Sequence, residues 1–138
     1  MEIIKNYKSY NDNKSIDELQ YNLYLEIDTL ENMKLELAFY NHLLDKPIFK
    51  EHTINLYERL SDLKHEIQEL NTKRIDLLNA IYSHSNHINI KIECDDIACD
   101  TFFIKEHDAI ELKIFNFNRT VANFKYNLFQ YLDSVLIN

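Results

Sequence analysis

Residues 101–137 read TFFIKEHDAIELKIFNFNRTVANFKYNLFQYLDSVLI, and this stretch decides the fold. Taking every third or fourth residue gives Phe103, His107, Ile110, Ile114, Phe117, Val121, Phe124, Leu128, Tyr131 and Val135, with steps of four and three that never slip. All but His107 are apolar or aromatic, the pattern of a helix packed along its whole length. A second stripe runs beside the first: Phe115, Ala122, Phe129 and Leu136, seven apart. A helix with two adjoining apolar stripes meets more than one neighbour. The second stripe is therefore the expected interface, and a second copy of the chain its expected partner.

Upstream, the same periodicity recurs twice. Ser15-Ile16-Asp17-Glu18 reads as a helix start, with Ser15 placed to cap and two acids at the positive end of the helix dipole. Leu19, Leu23, Leu30, Met33, Leu37, Tyr40 and Leu44 follow as a core stripe broken only by Glu26. This predicts a first helix over 15–45. Pro47 then suits the first turn of a second helix, predicted over 47–83 on Phe49, Leu56, Leu60, Leu63, Ile67, Leu70, Leu77 and Ile81. Thr53 and Arg74 interrupt that stripe. So short a link predicts an antiparallel hairpin. From 84 to 100 the period changes: Ile88, Ile90, Ile92 and Cys94 alternate with polar residues, which predicts an extended connector over 84–100, with any strand confined to 87–94. The third helix is predicted over 101–137. Residues 1–14 are polar and expected to fray. The expected whole is one domain over 1–138. It is all-α, more than about 60% helical against a base rate near a third, an antiparallel up-down-up three-helix bundle of heptad-patterned helices.

Composition narrows the function. The 138 residues contain no glycine and one proline. Without glycine there is no phosphate-cradling loop, no dinucleotide fingerprint and no nucleophile elbow. The formal net charge is −8, and no segment is basic, so nucleic acid is an unfavourable partner. No apolar run reaches the roughly 18 residues of a membrane span, and the N-terminal residues lack the apolar core of a signal peptide. A cytoplasmic location and no membrane partner are the expectation.

Few residues suggest chemistry. His84, His87, Cys94 and Cys99 are metal-capable types, yet their spacing lacks the close cysteine pairs of zinc knuckles. They define the alternative reading, a metal-binding or redox-sensing bundle. The plainer reading is a polar connector with reduced thiols. No Glu-x-x-His pair is present for a diiron bundle, and Asp62-x-x-His65 is only an approximation to one. His107, alone on an apolar face, has no partner that the sequence singles out. Arg74 occupies an apolar stripe position, so its charge calls for a carboxylate. Counting from the expected turns places Glu111 opposite it first and Glu18 second, as a register-setting ion pair.

The stretches Leu35-Glu36-Leu37-Ala38-Phe39-Tyr40-Asn41-His42-Leu43-Leu44, Leu63-Lys64-His65-Glu66-Ile67 and Phe124-Lys125-Tyr126-Asn127-Leu128-Phe129 carry a resemblance. In this layout the chain resembles small uncharacterised bacterial helical-bundle proteins with two coiled-coil-like helices, a His-bearing connector and an aromatic C-terminal helix. The resemblance covers most of the chain and implies a bundle without implying an activity. The sequence thus predicts a non-catalytic, acidic scaffold or adaptor without cofactor. Its expected partners are itself, as a dimer or higher oligomer, and an unidentified protein.

Overall fold

A computed structural model describes residues 6–11, 14–91 and 97–138. Three helices make it up: α1, Ile16–Leu43; α2, Leu56–Lys91; and α3, Ile97–Val135. Among the described residues the structure is 81% helical and contains no strand longer than an isolated bridge.

The heptad stripes become the core. Leu19, Leu23, Leu30 and Leu37 of α1 are sealed from solvent together with Leu63 and Ile81 of α2 and Leu128 of α3. Burying each such side chain contributes about 1.5–3 kcal/mol, which is what holds three helices of otherwise ordinary propensity together. Helix α1 opens where the sequence marks it: Ser15 Oγ accepts from the backbone N–H of Glu18 at 3.1 Å. The close backbone approaches are α1 with α2 and α2 with α3. Helices α1 and α3 reach each other through long side chains, Glu36 to Lys125 and Tyr40 to Phe124 and Phe129.

Several boundaries differ from expectation. The predicted helix over 47–83 begins only at Leu56. His52 and Asn55 adopt left-handed backbone conformations, φ 63° and 57°, and these stop any helix running on from Pro47. His and Asn are among the residues that tolerate this geometry, so they do here what glycine usually does. The loop is also pinned: Lys50 N–H donates to the Val135 carbonyl at 2.7 Å and Ile137 N–H to that of Ile48 at 2.9 Å, forming a bridge between Phe49 and Leu136.

At its other end α2 runs eight residues past Ser83, to Lys91. The predicted connector over 84–100 is therefore helical at 84–91 and again from 97. No strand forms over the described part of 87–94, and residues 92–96 lie outside the described residues. Nothing in 84–91 forbids a helix, because it contains neither glycine nor proline. Leu77, Ile81, His84 and Ile88 keep the four-three-four spacing, and all four are buried. The alternation of isoleucines coincided with a helical register.

The N-terminal segment, expected to fray, makes contacts over its described part. Residues 6–11 lie along α3. Tyr7 packs on Phe115 with ring centroids 5.9 Å apart, and Asn11 is fully buried.

Candidate functional site: a file of histidines and carboxylates

Because α2 continues through residue 84, His84 points into the bundle. Helix α3 runs back antiparallel and sets His107 beside it. Both rings are sealed from solvent, His84 at 0% and His107 at 1% exposure. His84 Nε2 lies 3.3 Å from His107 Nδ1. His107 Nε2 in turn lies 3.0 Å from Glu111 Oε1, one helical turn further along α3. On the other side, His84 Nδ1 is 3.1 Å from Glu106 Oε1. That approach is close but badly aligned, and Nδ1 is left without a hydrogen-bond partner. The two atoms approach each other with no hydrogen bond between them. His87, half exposed, brings its Nδ1 to the same Glu106 oxygen at 2.9 Å.

Around this file the polar groups interlock. Glu111 Oε2 accepts from Tyr7 Oη at 2.8 Å and from Asn11 Nδ2 at 2.9 Å. Asp108 accepts from Ser9 Oγ and Asn11 Nδ2, both at 2.6 Å. One layer further, Gln20 of α1 donates to Asn89 at 2.9 Å and accepts from Ser85 at 3.1 Å. Glu26 of α1 lines a groove with Tyr7, Glu111 and Phe115.

The electrostatics follow from this packing. The hydrogen bond from His107, with those of Tyr7 and Asn11, holds the Glu111 carboxyl down at about 2 against the cost of its burial. Burial pushes His84 below its ordinary value, and the neighbouring Glu106 pulls the other way. Burial, then the charge of Glu111, raises Glu26. Burial and the Glu111 carboxylate raise the Tyr7 phenol, so it remains a donor.

The sequence-predicted sites fare differently. Arg74 is buried, as its stripe position requires, yet among the described residues it pairs with neither Glu111 nor Glu18. Its Nε donates to Asn71 at 3.0 Å and its Nη1 to the Leu30 carbonyl at 3.3 Å. The reason is register. The loop over 44–55 moves the α1–α2 turn, so Arg74 sits level with Leu30 and not with Glu18 at the start of α1. The longer α2 and earlier α3 likewise set His107 level with His84, so that Glu111, one turn further along α3, lies away from Arg74.

Of the proposed metal ligands, His84 and His87 diverge, one buried and one half exposed, and share only the Glu106 oxygen. Cys94 lies outside the described residues, and Cys99 falls in the first turn of α3 with its side chain undescribed. No group of three His, Cys, Asp or Glu side chains among the described residues is placed to hold a metal ion.

The second stripe of α3 is partly used within the chain. Phe115 is covered by Tyr7 and Arg119, and Leu136 is bridged to Phe49. Ala122 is exposed, and Phe129 rests edge-on against Tyr40 while half exposed.

Among the described residues no helix is long and apolar enough to cross a membrane. Comparison with protein families, with curated proteins and with solved structures finds no match.

Proposed function

We propose that this chain is a non-catalytic, acidic helical-bundle scaffold or adaptor that works by packing helices against other proteins, a second copy of itself first. One observation carries the reading: the seam between α1 and α3 is lined by large apolar side chains that the chain does not cover. Phe39 is 59% exposed and Phe129 50%, and both stack on Tyr40. Exposed Leu25, Leu35 and Tyr126 extend the apolar surface on the two helices, and exposed Ala122 leaves room for close approach. Apolar surface concentrated in this way marks an interface.

Self-pairing suits the seam because it carries both signs of charge, Glu36 and Lys125, already paired with each other. Two such faces related by a twofold axis can exchange these partners without stranding a charge. The interface so proposed keeps Ala122 and Phe129 of the sequence-predicted stripe and adds Phe39. The acidic balance supports a protein partner and not nucleic acid, within the cytoplasm.

Light scattering on the full chain tests the reading. Wild-type protein is expected to run as a dimer or higher oligomer, and the double variant Phe39→Glu with Phe129→Glu as a folded monomer. A wild-type monomer at high concentration rejects it.

A further inference from the structure

The buried file admits a count of protons. Between the carboxylates of Glu106 and Glu111 there are three gaps: Glu106 to His84, His84 to His107, and His107 to Glu111, at 3.1, 3.3 and 3.0 Å. Each gap needs one proton, or two lone pairs face each other. Two neutral imidazoles supply one N–H each, so one gap stays empty. Two atoms of the file are buried without a hydrogen-bond partner, His84 Nδ1 and Glu106 Oε2, and both belong to the Glu106–His84 pair. That pair of orphans fits the arrangement in which His84 Nε2–H donates to His107 and His107 Nε2–H donates to Glu111.

We propose that the Glu106–His84–His107–Glu111 file is a one-proton switch built into the bundle, with two protons across its three gaps in one state and three in the other. The third proton comes from solvent and forms an N–H bond at His84 Nδ1. The file gains one positive charge and no other bond breaks. Its entry route is visible: His87 is half exposed and touches the same Glu106 oxygen.

The surroundings favour a single added charge. The titratable groups facing the file are His87 from α2, Glu106, Asp108 and Glu111 from α3, Glu26 from α1 and Tyr7 from the N-terminal segment. Among the described residues, no Lys or Arg pairs with any of these carboxylates. In the three-proton state both carboxylates are tied to the imidazoles. In the two-proton state the Glu106–His84 gap holds no hydrogen bond; filling it adds a tie between α2 and α3 but buries a positive charge, and that cost exceeds the gain.

Residue-resolved NMR of the imidazoles between pH 8 and 5, on the full chain and on a Glu106→Gln variant, tests this. In the wild type, His84 and His107 are expected to shift together through one shared step. Above that step both should carry the proton on Nε2. In Glu106→Gln the amide N–H can fill the gap without a proton, so the shared step should move down by at least about one pH unit, a tenfold change. Independent midpoints for the two rings, or an unchanged step in Glu106→Gln, would overturn the proposal. If the variant fails to fold, the wild-type titration still decides it, because two uncoupled rings or the opposite tautomers contradict the proton count.

Discussion

The two ends of this bundle obey the same heptad rule and are built from different materials. Near the α1–α2 loop the core is Leu37, Tyr40, Leu44, Leu60, Leu63, Phe124, Leu128 and Leu132, and the polar contacts lie outside it. At the other end Leu19, Leu23, Ile81 and Ile88 share the interior with Gln20, His84, Ser85, His107 and Asn11. Leucines tolerate a slide by one heptad, because the same kind of side chain arrives at each position. Hydrogen-bonded pairs do not: a shift of one turn would separate His84 from His107 and Gln20 from Ser85. The apolar end supplies adhesion, and the polar end supplies register.

The largest test of that division is at the apolar end. Leu128→Ala removes a fully buried side chain and is expected to cost about 2–5 kcal/mol, read by urea denaturation. A loss well under that range would mean the end is loosely packed.

The polar end should be the one that senses pH. The folded-state value of His84 is lowered from its ordinary 6.5, so below that pH the unfolded chain takes the proton more readily than the native one. Its contribution to stability is present above about 6.5 and is lost as pH falls through the lower folded value. Glu111, held near 2 against an ordinary 4.5, contributes stability above 4.5 that is lost as pH falls from there towards 2. Denaturation midpoints should therefore fall in two stages on acidification. Glu111→Gln should remove the lower stage and, by taking a negative charge from beside His107, move the upper one to lower pH, and a curve flat from pH 7 to 3 would refute the assignment.

The smallest effect concerns Glu26, whose raised value means that its charged form is disfavoured in the fold. Here the sign reverses: the penalty is present above its folded value and absent in acid. Glu26→Gln is expected to raise stability by a few tenths of a kcal/mol at pH 7 and to leave it unchanged at pH 3. A destabilised variant at pH 7 would show that the carboxylate is needed in that groove.

How much of this could be read from the chain depended on whether a residue's meaning was local. The α3 stripe was legible because periodicity depends only on spacing, and apart from the partly exposed Tyr131 its positions are buried. His107 was visible as an interruption, but its partner was hidden, since His84 fell within the expected connector. The spacing from Leu77 through Ile81 and His84 to Ile88 was the available signal, masked by the alternation of Ile88, Ile90 and Ile92. Arg74 shows the opposite limit. Its burial was legible, but its partner depended on register, and register depended on a loop whose length no stripe encodes. Pro47 suggested an early start to α2, while His52 and Asn55, exposed residues in left-handed conformations, lie outside any stripe that could have marked the later start.

The bridge between Phe49 and Leu136 bears on the order in which the molecule can assemble. The α1–α2 hairpin joins segments close in sequence, so its loop-closure cost is small and it can form early. The bridge needs the far end of α3 to have arrived, and it forms only when that helix lies along its full length in the right register. It is therefore expected to close last, as a clasp. Protection of the Lys50 and Ile137 amides from exchange would therefore time the completion of folding, and would be the first lost when α3 peels away.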